Sequence, residues 1–345
     1  MSANNDIAEI LRLEDLKTYF FTDDGVVKAV DGVDLTVRRG EVLGLVGESG
    51  CGKTVTSLSV TRLIDQPGKI VSGSIMFEGT ELLDLTESEM TRIRGSRIAM
   101  IFQQPRAALN PVLRGGDQIV EVLQMHAGLS KREAWARGVE LLEMVGIPEA
   151  ERRMNAYPHE LSGGMAQRVM ISLALAADPV LLIADEPTTA LDVTIQAQIL
   201  DLLRELRARI DTAIILITHD LGVVAEVADR VAVMYAGRIV EEADVDTLYA
   251  QPLHPYTQGL MGSVPVLGQL RDELDVIPGT VPDLIALPPG CKFAPRCRER
   301  VEHDLVICTE EEPQLQSAHE KHNVRCWLYH DSGQHTAPLA ENVRV

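Results

Sequence analysis

The sequence predicts an α/β fold: a mostly parallel sheet with helices on its faces, followed by a small proline-rich, cysteine-containing C-terminal domain. Three observations carry this expectation. Short β-branched runs, "EVLGLVG", "SRIAMIFQ", "VLLIAD" and "TAIILITH", each end in glycine or polar residues, as buried strands do. Helical patterns lie between them, and strands alternating with helices build parallel sheets. Beyond about residue 250 the texture turns proline-rich in "QPLHPYTQGL", "VIPGTVPDL" and "ALPPGCKFAPRC".

Glu41–Gly47 reads as the first buried strand. It runs into "GESGCGKT", Gly47–Thr54, which then opens a helix, the context a phosphate-binding loop requires. Gly47, Ser49, Gly50, Cys51 and Gly52 turn backbone N–H groups toward phosphate oxygens, with Cys51 a small filler at a variable position. Lys53 supplies a point charge for the terminal phosphates, and the Thr54 hydroxyl can ligate magnesium. Gln103 in "IFQQP" follows the next strand and can reach magnesium or an attacking water. The stretch from roughly Asp117 to Val145 is helical in pattern and predicts a helical subdomain over about 105–170.

"HELSGGMAQR" then places Ser162, Gly163 and Gly164 at a helix start that expects an anion. "VLLIADEP" ends a strand in two acids: Asp185 for the magnesium shell, and Glu186 to polarise water at a γ-phosphate. Asp192 in "TALD" caps an amphipathic helix with Ile195, Ile199, Leu202, Leu203 and Leu206 on one face. "LITHD" puts His219 at a strand end, suited to sense the γ-phosphate.

Composition narrows the classes. The 345 residues suffice for one large domain and an appendage, and 46% apolar with 24% charged residues is ordinary for a globular chain. Aromatics at 4% argue against base-stacking platforms, and a net charge of −19 argues against a polyanion binder. No basic region followed by an apolar core marks a signal peptide, and no uninterrupted apolar run spans a bilayer; the chain is expected in the cytosol or on a membrane through other chains. Cys51 stands alone, whereas Cys291, Cys297, Cys308 and Cys326 crowd the tail, a pattern that suggests metal more than disulfides in a reducing compartment.

The ordered set "GESGCGKT", "FQQP", "LSGGMAQR", "LLIADEP", "TALD" and "THD" resembles the ATP-binding-cassette (ABC) ATPase family over about residues 7–250. The resemblance implies a RecA-like core, an antiparallel β subdomain and a helical subdomain. It implies head-to-tail dimers in which Ser162, Gly163, Gly164 and Asp192 complete the ATP site of a partner cassette. "LKTYFFTDDG" aligns with the family segment that stacks an aromatic on adenine, with Phe20 the choice and Tyr19 the alternative.

The tail, 251–345, resembles the C-terminal extension of dipeptide/oligopeptide importer ATPase subunits. That resemblance implies a 4Fe-4S cluster on Cys291, Cys297, Cys308 and Cys326, with zinc, free thiols or disulfides as rivals. The implied function is ATP-driven import of di- or oligopeptides, or of nickel or oligosaccharides. The implied partners are a second, paralogous ATPase, two transmembrane permeases and an extracytoplasmic binding protein, at the cytoplasmic face of the membrane, with no nucleic acid. A non-transport ATPase acting on DNA or the ribosome fits less well, because coiled coils and basic arms are missing.

Overall fold

A computed structural model describes residues 8–188, 196–202, 204, 212–263 and 277–330. Along the chain run β1 (Glu9–Thr22), β2 (Gly25–Arg38), β3 (Val42–Val46), α1 (Lys53–Val60), β4 (Gly68–Phe77), β5 (Thr80–Glu81), α2 (Glu87–Ile93) and β6 (Ile98–Ile101). Next come α3 (Gly115–Ala127), α4 (Lys131–Met144), α5 (Gly163–Leu175), β7 (Leu181–Asp185), β8 (Ala213–Thr218), α6 (Leu221–Val227), β9 (Arg230–Tyr235) and β10 (Arg238–Asp244). The C-terminal part holds α7 (Val245–Ala250), α8 (Pro255–Gly262), α9 (Arg298–Glu302), α10 (Ile307–Glu310), β11 (Gln316–His319) and β12 (His322–Val324). The described residues fall into two compact units, one from Met1–Leu11, Val37–Val42 and Met76–Ile217, the other from Arg12–Thr36, Leu43–Ile75 and Thr218–Val345.

In the first unit β6, β7 and β8 pair in parallel, Ile98 opposite Leu181 and Leu181 opposite Ala213. Every residue of β7 and β8 is buried, the continuous apolar run of a strand covered on both faces. The longer helices α3, α4 and α5 lie between residues 115 and 175. Gly128, in the left-handed conformation, ends α3. Two residues later Ser130 starts α4 with a capping box: its hydroxyl accepts from Glu133 N–H at 3.4 Å, and Glu133 accepts from Ser130 N–H at 3.0 Å. Arg168 of α5 donates to the Val145 carbonyl just past α4, tying the two helices together.

The second unit builds on β3, which pairs in parallel with β9, Leu43 opposite Arg230. β9 and β10 form an antiparallel hairpin, and β10 continues antiparallel to β12. The C-terminal strands thus extend the sheet that carries the phosphate loop. Arg230, itself buried, pairs with Glu242 at 2.8 Å, so this sheet contains no uncompensated buried charge at that point.

Candidate active site

The phosphate loop leaves β3 at Gly47 and enters α1 at Lys53. Its shape depends on glycine at two positions. Gly47 has φ +152° and Gly52 φ +111°; a Cβ would sit 2.2 Å from the Met234 carbonyl at the first and 2.2 Å from the Ala29 carbonyl at the second. Only a residue with no side chain allows this backbone to pass so close to its neighbours. Lys53 is 6% exposed, and its Nζ donates to the Gly47 carbonyl at 2.7 Å and the Glu48 carbonyl at 3.0 Å. Cys51 is fully buried, 3.7 Å from the same ammonium, and burial pushes its thiol up. Ser49, Gly50 and Thr54 are exposed around this pocket floor. The loop therefore offers a lysine at its base and an exposed hydroxyl at the helix start, which fits a nucleotide polyphosphate with magnesium.

His219 follows β8 in an exposed position, and Asp220 beyond it caps α6 by accepting from Val223 N–H at 3.2 Å. Phe20 is half-buried on β1 with its ring edge against Gly68, where an added Cβ would meet it at 2.7 Å. The Tyr19 hydroxyl donates to Asp31 at 2.6 Å, so that ring is anchored by its polar end.

The first unit holds the carboxylates. Asp185 is 2% exposed at the end of β7. Glu186 comes next with φ +46°, a left-handed conformation that glutamate rarely adopts and that turns its side chain off the strand direction. There Gln103 Nε2 donates to Glu186 Oε2 at 2.7 Å. Two strand-end residues 83 positions apart thus meet in one hydrogen bond. Ser162 is the N-cap of α5, its hydroxyl accepting from Met165 N–H at 3.3 Å, and Ser162 and Gly163 are exposed at the helix tip. Asp192 lies outside the described residues.

Comparison with known proteins decides the family. Residues 30–189 match the model for "ABC transporter", and residues 240–303 match "Oligopeptide/dipeptide transporter, C-terminal region". The oligopeptide transport ATP-binding protein AppD of Bacillus subtilis (strain 168) is 52% identical over 95% of this chain and 99% of its own length. The chain belongs to the ABC transporter ATP-binding family. The dipeptide transport ATP-binding protein DppD of the same organism is 48% identical over 95% of this chain and 97% of its own. A solved dimeric structure of the ATP-binding cassette MJ0796, in a post-hydrolysis state with ADP and Pi, aligns with TM-score 0.63 at 29% identity, covering 68% of this chain and 99% of that one. The ABC cassette fold expected from the motifs is thus established.

The cysteine-rich tail of this cassette corrects one expectation. The matching families and relatives carry no iron–sulfur description, and among the described residues the one group of three ligand-type side chains converging within 4.8 Å is Glu299, Glu302 and His303. The 4Fe-4S expectation therefore does not stand: no matching family or relative carries it, and no three sulfurs of Cys291, Cys297, Cys308 and Cys326 lie within 4.8 Å of one another. The physical reason is packing. Cys308 and Cys326 belong to a small apolar core with Leu253, Ala294, Leu305, Val324 and Leu328, and Cys291 lies against it. Burial pushes the thiols up, Cys291 to about 12 and Cys308 to about 11, as expected of small apolar residues carrying an S–H. Crowded cysteines in sequence signalled metal; in the fold Cys308 and Cys326 fill a core and Cys291 packs against it.

Sequence reasoning missed Glu48, Tyr256, Arg296, Asp31 and Lys292. Lys292 Nζ donates to Asp31 at 2.6 Å, a buried pair joining β2 to the tail. Glu48 sits inside the phosphate loop yet is engaged by residues more than 200 positions away. "LHPY" and "APRC" were visible as tail features, and nothing local in them pointed to the loop.

Proposed function

We propose that this chain is the ATP-hydrolysing subunit that energises an importer of di- or oligopeptides. The observation that carries the reading is its 52% identity, along 95% of the chain, to an oligopeptide transport ATP-binding protein. In this reading residues 1–250 form the nucleotide-binding domain, with its helical subdomain over about 105–170, and 251–345 form the C-terminal domain. Lys53 and the loop N–H groups bind the polyphosphate, and Phe20 stacks on adenine. Thr54, Asp185 and Gln103 would hold magnesium, which would neutralise charge on the phosphate oxygens. Glu186 takes a proton from the attacking water, oriented by the Gln103 amide, and His219 hydrogen-bonds the γ-phosphate.

The exposed tip at Ser162, Gly163 and Gly164, with Asp192, closes over ATP held by a second cassette, a paralogue, as the dimeric MJ0796 structure supports. No helix of the described residues is long and apolar enough to cross a membrane. In this reading the motion acts through separate permease subunits. A substrate-binding protein outside the membrane then delivers the peptide, placing this subunit on the cytoplasmic face. The test is Glu186→Gln in the reconstituted transporter. ATP binding is retained while hydrolysis and peptide uptake fall by about a hundredfold or more. Wild-type hydrolysis in that variant would overturn the assignment.

A further inference from the structure

Glu48 is held from three directions. Its backbone N–H donates to the Tyr256 hydroxyl at 2.8 Å. Its carboxylate accepts from Arg296 at two points, 2.8 Å from Nη1 and 3.1 Å from Nη2. Its carbonyl accepts from Lys53 Nζ at 3.0 Å. One residue of the phosphate loop therefore links the loop lysine to two side chains beyond residue 250.

Both tail residues are fixed before they reach the loop. Tyr256 is fully buried on α8 and packs its ring on Tyr235, with centroids 4.6 Å apart. Arg296, 5% exposed, lies 5.8 Å from the Tyr235 ring centroid and 5.9 Å from that of Phe293, and its Nε donates to the Pro278 carbonyl at 2.8 Å. A guanidinium so oriented presents its fork in one plane, which suits a two-point carboxylate contact. The contact also answers a problem of charge. An unneutralised carboxylate in a loop built to receive a polyphosphate repels its ligand. Arg296 cancels that charge, and Tyr256 takes up a backbone donor so that this turn of the loop holds one conformation.

We infer that Tyr256 and Arg296 are positioning residues of the phosphate loop, through which the C-terminal region sets the affinity of the cassette for nucleotide. The inference rests on the reading that this loop binds ATP. It requires that removing Arg296 do harm chiefly by leaving Glu48 charged and unpaired, so that removing the Glu48 charge as well repairs most of the damage.

The test is a titration of the full chain with a fluorescent N-methylanthraniloyl-ATP and magnesium. The proteins are wild type, Arg296→Gln, Glu48→Gln, the double variant and Tyr256→Phe. Arg296→Gln weakens binding about tenfold, and the double variant returns to within about threefold of wild type. Tyr256→Phe, which keeps the ring, speeds amide exchange in a peptide covering Glu48 and weakens binding about threefold. Wild-type affinity in Arg296→Gln, or a double variant as weak as Arg296→Gln, overturns the inference. If Arg296→Gln does not fold, Tyr256→Phe decides: unchanged exchange and affinity overturn it. A wild-type chain that binds no nucleotide brings down the ATP reading itself, a result distinct from normal binding that the variants leave untouched.

Discussion

His254 gives a sharp prediction about the helix that presents Tyr256 to the loop. Its ring is 1% exposed and caps α8, Nδ1 accepting from the Tyr256 N–H at 3.0 Å. That bond needs Nδ1 without a proton, because protonation would set two donors face to face. Burial pushes the His254 pKa down from 6.5 to about 4, with Glu241 pulling it up and Arg325 pushing it further down. Below pH 6.5 the unfolded chain takes up a proton that the folded chain refuses, so stability is lost as pH falls toward 4. The whole interval corresponds to about 3 kcal/mol, and the part between pH 7 and pH 5 to about 2 kcal/mol. His254→Asn keeps a side-chain acceptor at the cap and removes the titration. Urea unfolding of both proteins at pH 7, 6 and 5 should show the wild type losing about 2 kcal/mol more than the variant. Parallel curves for the two proteins would refute the reasoning, because the proton would then be binding elsewhere.

Three further outcomes are expected. Gly52→Ala forces a side chain into a left-handed backbone 2.2 Å from the Ala29 carbonyl and should cost about 2–4 kcal/mol in thermal unfolding, with nucleotide binding lost. Asp31→Asn leaves the buried Lys292 ammonium without its carboxylate and should cost about 3 kcal/mol by urea titration, whereas a loss under about 0.5 kcal/mol would show that water already reaches the pair. Gln103→Ala removes the donor that holds Glu186 and should lower kcat for ATP about tenfold while KM changes less, a split that steady-state kinetics resolves.

What the sequence made legible was what local chemistry dictates. The phosphate loop could be read because its glycines, lysine and threonine act within eight consecutive residues, between a strand and a helix that each announce themselves. Gln103 and Glu186 could be read for the same reason, each as a polar residue ending an apolar strand, although their mutual hydrogen bond spans 83 positions. The break between α3 and α4 was written in Gly128 and the Ser130–Glu133 box, within a stretch whose pattern reads as helical from Asp117 to Val145. The β9–β10 hairpin turns at Ala236 and Gly237, both with positive φ, where the alanine gave no turn signal. The four tail cysteines misled because spacing alone cannot separate metal ligands from core residues. That distinction depends on where Leu253, Leu305 and Leu328 pack, and only the fold supplies it.

The contact between Glu48 and Arg296 shows why stability is a poor guide to what such a tie does. Glu48 is 28% exposed and Arg296 5%, so solvent screens the pair only from the Glu48 side. Its effect on binding follows a different rule. A glycine-rich loop that is free in the unliganded protein must be ordered when it grips phosphate, at a cost of about 1–2 kcal/mol per residue fixed. A residue already pinned by Tyr256, Arg296 and Lys53 has met that cost during folding, where the rest of the second unit's core carries it. The same bonds can therefore change nucleotide affinity severalfold beyond what they add to stability. Thermal unfolding and nucleotide titration of Tyr256→Phe should rank the tie differently, and equal effects in both would mean that the tail merely props up the fold.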